Sequence, residues 1–390
     1  MPAAERFVHV SSIYKEEILA TADTIITSLC PAEQTAIKIM EQFYWVWDIT
    51  NHEQYEEIKG IVKGINDEER MSLPRAIVLN SIYELGAWCT SIIAKQQDGT
   101  IIHGRNLDYP DAGQMRDMTF RAKFVRGGDE VFEAVMFAGI IGVYTGMKPN
   151  GFSISQNTRA FCSPDTYPSL AENIAMLWAG YKENSWIIRD ALTNCDDYQC
   201  AYLKLRDEPQ PSFGYNILAG TKGDEGVVLA RDKWGTVHED HLDSANGIWY
   251  LVQTNNDHWD TGCDGRCAAA VADMESVSQA KMSHDTLLGD VFMQPPVLAH
   301  GTIYNTFFAP SQSIMETIPL EASADTDYSK FVNDQPPTMT ERFANMETNF
   351  RASDIYRAMI WLIFGEQVIL PTFCSSEFTT AIQIAESMLF

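Results

Sequence analysis

Positive charge is scarce in this chain: 28 Lys and Arg stand against 53 Asp and Glu over 390 residues, a formal net charge of −25 at pH 7. Phosphate binding needs clustered Lys and Arg, and none cluster here, which argues against a nucleic-acid partner. The acidity eases as carboxylates protonate, which suits an acidic compartment and many cytosolic proteins equally. Long apolar runs are missing too. Residues 355–370 come nearest, but Arg357, Glu366 and Gln367 interrupt them, short of the roughly 20 apolar residues that a membrane span needs. A buried helix is the plain reading of that stretch, and a segment touching a lipid surface is the sharper one. Residues 1–11 lack the basic start and apolar core of a secretory signal. No Asn-x-Ser/Thr sequon occurs, so glycosylation lends no support to secretion and a cytoplasmic location stays open. Eight cysteines (30, 89, 162, 195, 200, 263, 267, 374) are too few over this length for a disulfide framework, although one or two bridges fit. Internal repeats and low-complexity linkers are absent.

What is present changes texture along the chain. Residues 15–28, 31–47 and 54–65 place apolar side chains at three- and four-residue spacing, the signature of helices. From Cys89 onward, short β-prone runs punctuated by glycine take over, at 91–94, 100–103, 120–125, 131–137 and 151–155. Helices are expected at 170–181 and 186–192, the latter with a continuation from 198, strands at 215–219, 227–231 and 248–254, and helices again at 268–277 and 286–292. The pattern divides the chain into a helical segment over 1–88, an α+β part over 89–310, which carries the candidate catalytic residues taken up below, and a mostly helical extension over 311–390.

The most informative stretch is CTSIIAKQQDGTIIHGRNLDYP, residues 89–110. Asp98-Gly99 between two β-prone runs signals a two-residue hairpin turn. That register sets Gln97 opposite Thr100, Ile93 opposite Gly104 and Cys89 opposite Asp108, with facing Cβ atoms about 4.5–5.5 Å apart. Arg105 would then lie on the other face, unless the ladder breaks at Gly104. A structural hairpin with a buried cysteine explains the same residues, and on the hairpin alone it is the stronger explanation.

This string resembles the nucleophile motif of the acid ceramidase and N-acylethanolamine acid amidase family, N-terminal-nucleophile cysteine amidases. Further similar motifs follow in order: GIIGVYTGMKPNGFSISQNTR, ILAGTKGDEGVVLARD, WYLVQTNNDHW and TIYNTF, so that the likeness runs over roughly residues 55–310. The resemblance implies a four-layer αββα sandwich and an inactive precursor that cuts itself between Trp88 and Cys89, its two chains staying associated. The cut gives Cys89 a free α-amino group, of pKa about 8, so that one residue supplies nucleophile and base. Asp108 would orient that amine, Arg105 would hold the thiolate and the substrate carbonyl electrostatically, and Asn255 would donate to the oxyanion. A second family arginine falls on Arg266 in Cys263-Asp264-Gly265-Arg266-Cys267, although the family's Asp-Asp-Arg-Arg sequence is not kept there.

The substrate so implied is a lipid N-acyl amide, with ceramide the leading choice and an N-acylethanolamine the alternative. Leu107-Asp108-Tyr109-Pro110 leans to the second and Val252-Gln253-Thr254-Asn255 to the first. Trp88, Tyr144 and Trp249 are candidates to line an acyl groove, and each could equally be core. No cofactor is implied. Cys263 and Cys267 could be bridged or could join His258 at a metal, but the C-x₃-C spacing lacks a second ligand pair, so no metal is assigned. His103 is expected to be structural. The resemblance implies a lysosomal or secreted enzyme with transient membrane-surface contact. Two rivals remain: a bile-salt- or penicillin-type amidase, against which the 88 preceding residues count, and an inactive lipid-binding protein, against which the joint presence of Cys89, Arg105, Asp108 and Asn255 counts.

Overall fold

The computed structural model describes residues 1–28, 41, 44–82, 88–109, 112–159, 176–177, 179–263 and 265–320. The helices expected over 31–47 and 170–181 fall largely outside these residues, and residues 321–390 wholly so. The described residues form two compact units, one of 1–82 with 176–182 and one of 88–159 with 183–320.

The first unit is helical. Helix Lys15–Ser28 has its expected bounds, and helix His52–Ile65 starts two residues before the expected 54. Ile58, Ile61, Val62 and Ile65 of the latter are buried at helical spacing. Its Gly60 and Gly64 admit the N-terminal turns closely, since a Cβ would stand 2.8 Å from the Ala4 carbonyl oxygen and 2.3 Å from that of Val8. Glu57, fully buried, accepts from Arg6 Nη1 at 2.6 Å.

The second unit contains two antiparallel sheets. In chain order the strands are β1 (Trp88–Lys95), β2 (Ile101–Asp108), β3 (Thr119–Arg126), β4 (Asp129–Phe137), β5 (Thr145–Lys148), β6 (Phe152–Thr158), β7 (Gly214–Ala219), β8 (Gly226–Arg231), β9 (Thr236–His241), β10 (Tyr250–Gln253), β11 (Thr302–Ala309) and β12 (Ile314–Pro319). One sheet runs β10-β1-β2-β11-β12 and the other β3-β4-β5-β6-β7-β8-β9. Ile93 and Ile101 of the first pack against Tyr215, Ile217, Ala219, Val228 and Ala230 of the second. On the far side of the first sheet, Ile92, Ala94, Ile102 and Phe307 meet Ala270, Met274 and Val277 of helix Gly265–Val277 and the π-helical turn Leu287–Phe292. Helices Asn184–Asn194 and Tyr198–Asp207 cover the outer face of the second sheet against β4, β5, β7 and β8. The expected α/β/β/α layering is therefore present. Every residue of β2 is buried because both its faces are covered, so its sequence shows little alternation of apolar and polar residues.

Strands β5, β9, β11 and β12 were not among the expected strands. β9 reads TVHEDH and β5 is four residues long, so neither carries a run of β-formers. The stretch from 311, expected to begin a helical extension, instead supplies β12 at the edge of the first sheet. Among the described residues no helix is long and apolar enough to cross a membrane.

The hairpin register differs from the expected one by a single residue. Gln96 and Thr100 close the loop, Gly99 N–H donates to the Gln96 carbonyl at 3.0 Å, and Gly99 has φ 90°. This is a three-residue loop, a turn followed by a left-handed glycine, and not the two-residue turn that needs both central residues left-handed. Cys89 therefore faces Leu107, Ser91 faces Arg105, and Asp108 faces Trp88. A slip of one residue exchanges faces, so Arg105 shares the Cys89 face with no break in the ladder, while Asp108 lies on the other. Gly104 serves close packing and not a bulge: a Cβ there would stand 2.2 Å from the Phe292 ring, which is itself buried. Gly104→Ala should accordingly lower unfolding free energy by about 1–3 kcal/mol, measured by chemical denaturation.

Candidate active site

Cys89 sits near the start of β1 with its side chain in the layer between the sheets, fully buried. Arg105, diagonal to it on β2, donates from Nη2 to Cys89 Sγ at 3.1 Å and to the Gln156 carbonyl at 2.6 Å. Its Nη1 donates to Thr145 Oγ1 at 2.6 Å and to the Tyr144 carbonyl. One guanidinium thus holds the thiol while spanning from β2 to the opposite sheet. Burial pulls Arg105 down, but Cys89 and Tyr304 beside it outweigh this and hold it above its ordinary value. Burial pushes the Tyr304 hydroxyl up to about 12, and that hydroxyl pairs with Thr145 Oγ1 at 2.7 Å.

The main chain of Cys89 is held from another direction. β1 pairs with β10, Ser91 opposite Gln253, and the same register carried two residues further sets Asn255 opposite Cys89. Asn255 Oδ1 accepts the Cys89 N–H at 2.9 Å, and Asn255 Nδ2 donates to the Thr158 carbonyl at 2.7 Å. Arg266 fixes which end of the amide faces Cys89, because a guanidinium only donates and its Nη2 lies 2.8 Å from Asn255 Oδ1. The oxygen of the Asn255 amide is thus turned to the Cys89 nitrogen and its NH2 group to the Thr158 carbonyl.

Asp108 meets Arg266 Nη1 at 2.8 Å and Thr302 Oγ1 at 2.6 Å. It was expected to face the Cys89 nitrogen; by register its face is that of Thr90 and Asn106, and Arg266 also reaches Thr90 Oγ1 at 3.2 Å. Arg266 therefore connects Asp108 to Asn255, and Asn255 to Cys89. The Cys263–Cys267 disulfide brackets Arg266 at the start of its helix, which removes both cysteines from the metal alternative. A second disulfide joins Cys195 and Cys200 between the two helices of the outer layer, and Cys89 is the free cysteine among the described residues.

Of the groove candidates, Tyr144 is buried and gives its carbonyl to Arg105, and of Trp88 the backbone alone is described, in β1. Trp249 packs into the cluster between the first sheet and its helices, on the side away from the Cys89 thiol. It does not line a groove at the nucleophile.

The sequence reading missed the polar relay behind Cys89. His103 is fully buried, with Nδ1 3.0 Å from Ser153 Oγ and Nε2 2.9 Å from Ser155 Oγ. Ser155 Oγ meets Ser91 Oγ at 2.9 Å, Ser91 donates to Asn157 Oδ1 at 2.8 Å, and Asn157 Nδ2 donates to the Gln253 carbonyl at 2.8 Å. The relay braces β1 and the end of β10 against the other sheet. Three of its members, Ser153, Ser155 and Asn157, alternate on β6 within a quoted motif, a period-two pattern of polar residues that could have marked them.

Two antiparallel sheets between helical layers, with a cysteine held between them near the head of a strand, define an N-terminal-nucleophile hydrolase. No family model matches the chain. It is 37% identical over 253 residues to the N-acylethanolamine-hydrolyzing acid amidase of Rattus norvegicus, covering 64% of this chain and 68% of that protein. It is 34% identical over 280 residues to the acid ceramidase of Homo sapiens, covering 67% and 68%. The solved Caenorhabditis elegans N-acylethanolamine-hydrolyzing acid amidase ortholog superposes with a TM-score of 0.54 at 30% identity, over 60% of this chain and 100% of that one. The chain belongs to this family of acid amidases and ceramidases and is an amide hydrolase.

Two outcomes follow from the site. Asp108→Ala strands a buried guanidinium, so stability should fall by about 3–5 kcal/mol and turnover by roughly 10²-fold through the misplaced Cys89; denaturation and product-release rates read the two. Burial, then the charge of Arg105, lowers His103 to about 3 from 6.5. The unfolded chain therefore takes up a proton that the folded chain refuses. Stability from this group is complete above about 6.5 and is lost as pH falls toward 3. His103→Gln, which can keep both serine contacts, should flatten the acid limb of a stability–pH curve over that window.

Proposed function

We propose that the chain cuts itself between Trp88 and Cys89 and that the freed Cys89 hydrolyses a lipid N-acyl amide, ceramide in the first instance, to fatty acid and amine. The observation that carries this reading is the convergence on Cys89: Arg105 on the thiol at 3.1 Å and Asn255 on the backbone nitrogen at 2.9 Å. Sγ attacks the Trp88 carbonyl, the C–N bond breaks, and the nitrogen leaves as the protonated α-amine of Cys89. Water then hydrolyses the thioester, freeing the thiol and a Trp88 carboxylate. In turnover the amine takes the thiol proton, Sγ attacks the substrate carbonyl, the protonated amine product departs, and water releases the fatty acid.

In this reading Asn255 Oδ1 orients the amine, the role expected of Asp108, and Asp108 acts through Arg266 as a positioning residue. The segments 1–88 and 89–390 are the two processed chains and stay associated. Their substrate is presented at a membrane surface, in an acidic, lysosomal setting that the relatives' names as acid enzymes support. The second reading, an N-acylethanolamine substrate, is favoured by the higher identity to that relative, 37% against 34%. One pocket contact separates such head groups by only about 1–3 kcal/mol.

Intact mass after incubation at mildly acidic pH should show a fragment beginning at Cys89, absent from Cys89→Ala. Fatty-acid release from a panel of ceramides and N-acylethanolamines should fall to background in that variant. An uncut wild-type chain, or equal release by the alanine variant, overturns the mechanism, and the ranking of the panel decides the head group.

A further inference from the structure

β9 is the edge of the seven-stranded sheet, and its alternate residues His238 and Asp240 share a face. His258, which opens the short helix His258–Thr261, brings a third polar side chain to the same place. The carboxylate of Asp240 stands between the two imidazoles: Oδ1 is 3.2 Å from His238 Nε2, and Oδ2 is 3.2 Å from His258 Nε2. One nitrogen or oxygen from each residue lies within 4.8 Å of the others. Bonds of about 2.0–2.2 Å at tetrahedral angles set neighbouring ligand atoms roughly 3.3–3.6 Å apart, which lies within the 4.8 Å that encloses the three donor atoms here.

The hydrogen bonding distinguishes this cluster from an ordinary His–Asp–His pairing. Asp240 Oδ1 has a hydrogen bond with His238, but Oδ2 is buried without one, although His258 Nε2 is 3.2 Å away. The two atoms are close enough to share one ion. His258 Nδ1 is also buried without a partner. The imidazoles are held in place by Trp259, stacked on His238 at 4.0 Å and edge-on to His258 at 5.3 Å. The neighbouring acids are otherwise engaged: Asp257 with Arg159 and Tyr215, and Glu239 with Tyr202 and His241.

We infer that His238, Asp240 and His258 form a binding site for one divalent transition-metal ion of the zinc type. Two imidazole nitrogens and one carboxylate match such an ion, whereas Mg²⁺ and Ca²⁺ favour oxygen alone. Three protein ligands leave a position for water. Because His258 follows Asn255 by three residues, a bound ion fastens edge strand β9 to the segment that holds the Cys89 nitrogen.

The test uses the full chain carrying Cys89→Ala, which removes one competing thiol, stripped with chelator and titrated with zinc sulfate by calorimetry and thermal melting. Zinc should bind and raise the melting temperature, while magnesium should not. Asp240→Asn, His258→Gln and His238→Gln should each weaken this binding by at least about 10–100-fold and erase the shift, with metal-free melting temperatures like the parent's. Zinc bound equally by parent and variants, or not bound by the parent, overturns the site.

Discussion

Arg105, Asp108 and Arg266 are almost wholly withdrawn from water, with Arg105 and Asp108 at 1% and 0% exposure. Burying an ion costs several kcal/mol unless a counter-charge and hydrogen bonds meet it, and much of the architecture around Cys89 can be understood as meeting that demand. Arg105 donates from its two Nη atoms to two carbonyls, a threonine hydroxyl and the thiol, which ties β2 to the opposite sheet. Arg266 is satisfied by Asp108 and Asn255, which ties the outer helix to β2 and to the end of β10. Neither arginine can leave without stranding a partner in a dry interior, so the residues that hold Cys89 also hold the layers together.

This arrangement gives the two halves of Cys89 separate keepers. The thiol belongs to the layer between the sheets and to Arg105. The backbone nitrogen belongs to Asn255, which is in turn held by Arg266 and Asp108. Strand pairing with β2 on one side and β10 on the other supplies the two directions from which thiol and nitrogen are held.

The hairpin shows how finely such placement depends on a turn. Cys89, Arg105, Asp108, Asn255 and Arg266 were all legible as candidates, through a likeness carried by several separated motifs. Their grouping was not. A two-residue turn at Asp98-Gly99 places Asp108 across from Cys89, whereas the three-residue loop places Leu107 there and moves Arg105 to the thiol's face. Both loops are compatible with Asp-Gly, and what separates them is whether Asp98 adopts a left-handed backbone, which composition does not reveal. The loop thereby moves Asp108 off the thiol's face.

Sequence alone determined the layered α+β class, the helix over 15–28 and most strands from Cys89 to β8, and it singled out Cys89 as the candidate nucleophile, because these rest on local periodicity and on motifs contiguous in the chain. Tertiary structure alone decided that Arg266 reaches Asn255, that Trp249 faces away from the thiol, that Gly104 yields to Phe292, and that polar β9 is a strand. Each of these joins residues far apart in the chain, or overrides a weak local preference by burial, and such pairings are set by how the layers close on one another.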